Sequence, residues 1–253
     1  MDLGLADRVF VLTGASRGLG LATAQSLVAD GARVVISSRD PERVADAVDE
    51  LGGAAHAAGV VADLADPETP RELVDTATDR FGRLDGALIS VGGPAQGTVA
   101  GMTDDQWRNA FETVFLGSVR AARTFASALP EGGAIALVLS TSVKTPLPGL
   151  GLSSGLRPGL AMAAKDMADE YGPRGVRIFG LMPGRFMTDR NKELLASTGD
   201  APTATAEAAA AIPLRRLGEP AEFGRAAAFL LSPAASYVSG TAIAIDGGYL
   251  RTL

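Results

Sequence analysis

Gly14, Gly18 and Gly20, within Thr13-Gly14-Ala15-Ser16-Arg17-Gly18-Leu19-Gly20, are spaced for gripping a diphosphate. The apolar run Val9–Leu12 before them reads as a short buried strand, and Leu21 to Ala29 after them carries apolar residues at helical spacing. A glycine turn between strand and helix is the context in which such spacing reads as a nucleotide site. Gly14 turns the chain off the strand, Gly18 lets backbone approach a pyrophosphate, and Gly20 lets the helix sit close on the sheet. The unpaired N–H groups of the first helical turn face the anion, with Ser16, Arg17 and Leu19 as the other loop candidates. The spacing is G-x-x-x-G-x-G rather than G-x-G-x-x-G, and without its flanking elements it equals an ordinary tight turn.

A second group of residues bears on which dinucleotide would bind. The predicted second strand ends in Ile36-Ser37-Ser38-Arg39-Asp40-Pro41-Glu42. A carboxylate about 20 residues past the glycines would take an adenosine 2′-hydroxyl. Asp40 has that separation, but Pro41 and Glu42 after it make it a helix N-cap whose oxygens face amides instead. Ser37, Ser38 and Arg39 at the tip, with Arg17 across from them, suit a 2′-phosphate. NADP(H) is therefore preferred, with NAD(H) the alternative. Asp63, ahead of Leu64, either accepts from an adenine amine or caps the next helix.

Composition narrows the classes. The 253 residues suit one α/β domain, and 23 basic against 29 acidic residues leave no basic stripe for nucleic acid or an anionic membrane. No cysteine is present, which excludes disulfides and thiolate metal sites, and no metal site is expected. The lone His56 lies in a loop-like Gly/Ala tract and reads as a solvated bystander. No apolar run reaches the roughly 18 residues of a membrane span, and the N-terminus does not resemble a signal peptide, so a cytoplasmic location is expected.

Short β-rich runs alternate with helical patterns, as in βαβ units building a parallel sheet covered on both faces. Strands are predicted at Val9–Leu12, Arg33–Ile36, Ala57–Val61, Ala87–Ser90, Ala134–Leu139, Arg177–Leu181 and Ala242–Ile245. Helices are predicted at 19–30, 41–51, 67–81, 104–129, 156–172 and 219–232. The fold class is thus a doubly wound Rossmann domain over residues 1–253. The tract 189–214, with Ser197-Thr198-Gly199-Asp200 and an alanine-rich run, reads as a helical excursion over the sheet edge, a substrate lid, or else as a disordered insertion.

Several segments together resemble the short-chain dehydrogenase/reductase family over nearly the whole chain. They are the Thr13–Gly20 loop, Gly175-Val176-Arg177-Ile178-Phe179-Gly180-Leu181-Met182-Pro183-Gly184, Leu217-Gly218-Glu219-Pro220, Ser236-Tyr237-Val238-Ser239-Gly240 and Asp246-Gly247-Gly248. The resemblance implies a seven-stranded Rossmann sheet, a nicotinamide cofactor and a homo-oligomer, usually a tetramer. It also implies that Pro183, Gly184, Phe186 and Thr188 lie beside the nicotinamide and pyrophosphate. Gly92, in Ile89-Ser90-Val91-Gly92, stands in the family's Asn-Asn-Ala-Gly.

The family's Tyr-x-x-x-Lys is where the chain departs. Counting back from Gly175 puts Ser153 at the tyrosine position and Arg157 at the lysine position. The helix-four asparagine aligns with Val114, and only the catalytic serine persists, as Ser140 by direct count or Ser142 if the loop shifts. A serine hydroxyl is a far weaker acid than tyrosine, whose pKa starts near 10. Arginine cannot pass a proton as lysine can, yet it can grip ribose hydroxyls or a carboxylate and stabilise an alkoxide. Pro158 predicts that the helix starts or bends near Ser154 to Arg157. Ser153-Ser154 also reads as simple helix capping, and Arg157 as a surface ion-pair residue. Lys144 and Arg185 could join Arg157 in an electropositive pocket for an anionic substrate, or be solvated loop charges. Trp107 reads as packing at the start of a helix capped by Thr103.

The expected function is an NADP(H)-dependent oxidoreductase of carbonyl or alcohol substrates with Ser140, Ser153 and Arg157 in catalytic places. The alternative is a catalytically lapsed NADP(H)-binding sensor or scaffold, with a non-redox reaction on the same fold behind it.

Overall fold

β1 (Val9–Thr13) is apolar on both sides: Val9 and Val11 face one core, Phe10 and Leu12 the other. Such near-continuous apolar strands belong to parallel sheets covered on both faces. The computed structural model describes residues 2–196 and 199–252. Among them β1 joins β2 (Arg33–Ser38), β3 (Ala57–Val61), β4 (Gly86–Ile89), β5 (Ala134–Val138), β6 (Arg177–Pro183) and β7 (Ala242–Ile245) in a parallel sheet ordered β3-β2-β1-β4-β5-β6-β7. The order reverses between β1 and β4, where doubly wound sheets open a crevice at their strand C-termini.

One face is covered by α1 (Gly18–Ala29), α2 (Pro41–Glu50) and, later in the chain, a helix at Pro220–Leu231; Leu27, Ala47 and Phe223 lie in that core. The other carries α3 (Thr69–Phe81), α4 (Asp104–Ala110), α5 (Gly117–Ala128) and α6 (Gly151–Tyr171), with Leu73, Phe125 and Met167 in its core. After β6 come α7 (Asp189–Ala196) and α8 (Ala201–Ala210), then the Pro220–Leu231 helix as α9. The excursion over 189–214 is thus helical in its described part; Ser197 and Thr198 lie outside the described residues. Asp200 caps α8 by accepting from Thr203 N at 3.1 Å. No helix among the described residues is long and apolar enough to cross a membrane.

Two expectations need correction. The helix expected over 104–129 is interrupted by a π turn, Phe111–Leu116, between α4 and α5. Gly117 then closes on Leu64, whose carbonyl oxygen would lie 2.6 Å from a β-carbon there. That close approach is a tertiary contact and leaves no mark on local periodicity. The capping box is as the sequence suggests, Thr103 Oγ1 accepting from Gln106 N and Gln106 answering at Thr103 N.

The second correction is α6, which begins at Gly151 and carries Pro158 inside it. Gly151 N donates to Gly97 O at 2.9 Å and Ser154 N to Leu150 O at 2.9 Å, so the first turn is anchored before the proline arrives. An interior proline costs about 3 kcal/mol. Burial of Leu152, Leu160 and Met167 offsets a cost of that size. Ser153 and Ser154 are therefore not caps; Leu150 holds that position, without a side-chain hydrogen bond.

At the start of α9, Glu222 takes two hydrogen bonds from Arg216, both 2.7 Å, and one from Glu219 N at 2.8 Å. Hydrogen bonding to Arg216, followed by that backbone bond, pulls its carboxyl down to about 2. A carboxyl lowered on folding adds stability above its unfolded pKa, near 4.3, and loses it as pH falls toward the folded value. Glu222→Gln should lower the thermal midpoint at neutral pH, with the gap to wild type closing between about pH 5 and pH 2 in an acid series. A gap unchanged across that series would remove the carboxylate from the account.

Candidate functional site

Thr13 ties the two sides of the crevice together. Its Oγ1 donates to Ser90 O at 2.7 Å and accepts from Ser90 N at 2.9 Å, clamping the end of β1 to the end of β4. Gly14 follows at φ +57°, with Ser90 O only 2.7 Å from where its β-carbon would stand. Arg17 occupies the N-cap of α1 with extended backbone and no side-chain cap, and no acidic residue stands in the first turn. The amide donors there are left facing the crevice, which is the condition for holding an anion. Gly20 closes α1 on the loop, since a β-carbon would meet Ala15 Cα at 2.7 Å.

At the tip of β2, Ser37 is buried and Ser38 half-buried, while the Arg39 side chain is 75% exposed and pairs with Asp63 at 3.7 Å. Arg17 reaches Glu193 of α7 at 4.0 Å. Asp40 caps α2, accepting from Arg43 N at 3.2 Å. Asp63 does not cap α3, whose N-cap is Glu68. It takes Ala65 N at 3.0 Å within its own turn, because α3 starts later than its apolar pattern suggests.

Ser153 and Arg157, which counting back from Gly175 aligns with the family's tyrosine and lysine, both lie in the first turns of α6. Ser153 is 5% exposed, and its Oγ lies 3.0 Å from Ser142 Oγ. Ser142 is therefore the serine brought to Ser153. Ser140, favoured by direct count, is displaced from that place: its Oγ accepts from Ser142 N at 3.1 Å. The reason is the 3₁₀ turn at Thr141–Val143, which carries Ser142 inward and leaves Ser140 as its cap.

One turn along α6, Arg157 is 6% exposed and donates from Nη1 to Val138 O, the end of β5, at 2.6 Å. It is a buried residue and forms no ion pair among the described residues. Burial first, and then the nearby Arg190, lower its pKa to about 10, so it stays protonated at neutral pH. A fall of that size means its charge is held in the fold at roughly 3 kcal/mol.

From β6 onward, Thr188 stands over Gly18, with its Cγ2 3.6 Å from a β-carbon placed there. Gly184 is pressed against Asp246, where a side chain would meet Cα at 2.7 Å. The Phe186 ring is buried at 4% exposure, edge-on to Phe223 at 5.7 Å, so what this residue can offer the crevice is its backbone. An apolar ring gains more from that burial than from a polar cleft. Leu64 likewise puts its side chain in the core beside Leu73, so it offers a cofactor no side-chain contact. Gly92 is exposed on the loop after β4, Val114 is buried in the π turn, and Lys144, Arg185 and His56 are exposed. Trp107 packs on α6, 2.6 Å from a β-carbon at Gly155.

A family profile described as enoyl-(acyl carrier protein) reductase matches residues 14–250. The A-factor type γ-butyrolactone 1′-reductase (1S-forming) of Streptomyces virginiae is 33% identical over 252 residues, covering 97% of this chain and 96% of that protein. The chain belongs to the short-chain dehydrogenase/reductase family. L-sorbose reductase from Gluconobacter frateurii, solved with NADPH and L-sorbose, superposes with TM-score 0.93 at 28% identity over 100% of both chains. A short-chain oxidoreductase of Pseudomonas aeruginosa PAO1, described as containing an atypical catalytic center and solved with NADPH, gives TM-score 0.90 at 30% identity over 97% and 98% of the two chains.

In this short-chain dehydrogenase/reductase two site residues escape a reading of the sequence. Thr13 carries a signal in hindsight, a hydroxyl at the last position of the first strand. Arg190 carries none. It lies two residues past Thr188 in α7, and its Nη2 donates to Pro94 O at 3.3 Å on the β4 side of the crevice.

Proposed function

We propose that the chain is an NADP(H)-dependent oxidoreductase that interconverts a carbonyl and an alcohol through a serine pair and an arginine. The observation that carries this is the burial of Ser142, Ser153 and Arg157, with the two serine hydroxyls 3.0 Å apart and Arg157 bonded to the end of β5. The donor set at α1 fits a dinucleotide diphosphate: free first-turn amides, a positive-φ glycine under Ser90, and no competing carboxylate in that turn.

On this reading the amides of Gly18, Leu19 and Gly20 would hold the diphosphate, with Gly14 and Ser16 shaping the loop. Arg17, Ser38 and Arg39 would hold the 2′-phosphate, Asp63 the adenine, and Gly92, Pro183, Gly184 and Thr188 the nicotinamide half. The nicotinamide supplies or takes up the hydride when bound. Ser153 and Ser142 donate hydrogen bonds to the substrate oxygen and pass it a proton drawn from water, since a serine hydroxyl is too weak an acid to supply one alone. Arg157 stabilises negative charge on that oxygen from a site without bulk water. Ser140 is a positioning residue that holds Ser142 through its backbone N–H. Helices α7 and α8 would act as the lid, and exposed Phe111 and Met162 favour a homo-oligomer.

Calorimetric titration with NADPH followed by NADPH consumption on a panel of dicarbonyls and quinones tests the reading. Turnover supports it. Tight binding without turnover favours the lapsed sensor or scaffold, which also has an observation behind it: among the described residues the Ser142 and Ser153 hydroxyls hydrogen-bond each other, with no stronger acid attached. For cofactor choice, Arg39→Ala should weaken NADPH about tenfold, the scale of one charge-assisted contact, and leave NADH nearly unchanged. Equal losses for both would refute the phosphate role.

A further inference from the structure

Arg120 reaches from α5 to the turn that follows β3, 55 positions back along the chain. The side chain is half-buried, and its Nη1 donates to Ala65 O at 3.1 Å. It forms no ion pair among the described residues. Three positions earlier, on the same face of α5, Gly117 lies so close that a β-carbon there would stand 2.6 Å from Leu64 O. The helix therefore grips the Leu64-Ala65 stretch twice, by close backbone approach and by a cation on a carbonyl.

The rest of the turn is bonded within itself and to the tip of β2. Asp63 Oδ1 accepts from Ala65 N at 3.0 Å, while Asp63 O accepts from Thr69 Oγ1 at 2.8 Å and from Asp66 N at 3.0 Å. Ala62 N donates to Ser38 O at 3.0 Å, and Asp63 Oδ2 stands 3.7 Å from Arg39. Among the described residues the Ala65 carbonyl has one partner, Arg120. A charged donor makes that bond about twice as strong as a neutral one. Losing it frees Ala65 to turn, and with it the amide on which Asp63 Oδ1 rests.

We propose that Arg120 is a positioning residue for the adenine half of the cofactor: it holds Ala65, and the Ala65 amide holds the Asp63 carboxylate in place for the base. This rests on the proposed NADP(H) function, in which Asp63 meets the adenine. Arg120 itself touches neither cofactor nor reacting atoms. Adenine is common to NADPH and NADH, so Arg120 acts on both alike, whereas Arg39 acts through the 2′-phosphate that only one of them carries.

Calorimetric titration of NADPH and of NADH into Arg120 variants is the test. Arg120→Met should weaken both coenzymes by the same factor, about tenfold, the scale of one charge-assisted bond. Turnover at saturating NADPH should keep its wild-type rate. Arg120→Lys, which retains a charged donor, should recover most of the affinity, and Arg120→Gln, polar but neutral, should repeat the loss if Arg120→Met does not fold. In an Asp63→Ala background Arg120→Met should cost no more than about twofold further. A lower thermal midpoint with both affinities unchanged would make Arg120 a stitch between helix and loop, and overturn the proposal. A loss confined to NADPH, or a full tenfold loss on top of Asp63→Ala, would overturn it too. Hydrogen exchange at the Ala65 amide reads the same contact in the free protein, and should quicken at least about tenfold in Arg120→Met. An unchanged exchange rate would overturn the proposal with coenzyme binding intact. Failure of wild type to bind either coenzyme would instead sink the functional reading and the adenine role with it, with exchange still deciding whether Arg120 holds the turn.

Discussion

Arg157→Met should cut turnover by about two to three orders of magnitude, the usual cost of deleting a group that stabilises developing oxyanion charge. The same variant should be more stable than wild type. Its charge is held in the fold at roughly 3 kcal/mol, and removing it forfeits one hydrogen bond to Val138 O worth about 1.5 kcal/mol. Methionine is similar in length to the arginine stem and leaves little cavity. A gain of about 1–2 kcal/mol shifts the midpoint of a chain this size upward by roughly 2–8 °C. Opposite signs for activity and stability mark a group kept for chemistry at the expense of the fold. Differential scanning calorimetry beside single-turnover kinetics checks both halves. A variant that is destabilised and fully active would make Arg157 a packing residue.

Gly14→Ala should be the most damaging single methyl group in the crevice. The backbone at φ +57° costs an L-residue about 1–2 kcal/mol. The added carbon also meets Ser90 O at 2.7 Å, and Ser90 cannot retreat because Thr13 Oγ1 bonds both its N–H and its carbonyl. Together these should cost about 2–4 kcal/mol and weaken NADPH at least about tenfold, as the loop that aims the first-turn amides is pushed off the sheet. Gly132→Ala is the control: φ is +82° with nothing within 4 Å, so it should show the backbone cost alone, about 1 kcal/mol, with NADPH affinity intact. Equal effects at the two positions would mean that the closure against Ser90 does not matter.

Much of the fold could be read from residues in order, and the reason is period. The apolar runs at Val9, Arg33, Ala57, Ala134, Arg177 and Ala242 are all strands of the sheet, and the glycine loop does sit between β1 and α1. Cap chemistry was equally legible, because Asp40 and Thr103 bond amides only three residues away. Legibility ended where a local rule met a distant contact. Pro158 argues for a helix start, but Gly97, more than fifty residues earlier in the chain, anchors the first turn of α6 ahead of it. The π turn answers to Leu64 lying against Gly117.

The site divides along the same line. The ingredients of the proposed site, a glycine loop between strand and helix, an arginine-flanked strand tip and the Ser153–Arg157 spacing, are properties of residue type and spacing and were present in the sequence. Which serine meets Ser153 was decided by the 3₁₀ turn at Thr141–Val143, a rotation of the chain that moved Ser142 in and Ser140 aside. Where the Phe186 ring goes was decided by Phe223, which offers it a drier place than the crevice. The burial of Arg157 belongs wholly to the tertiary structure, because a charge at helical spacing reads the same whether solvated or enclosed until the end of β5 supplies Val138 O as its partner.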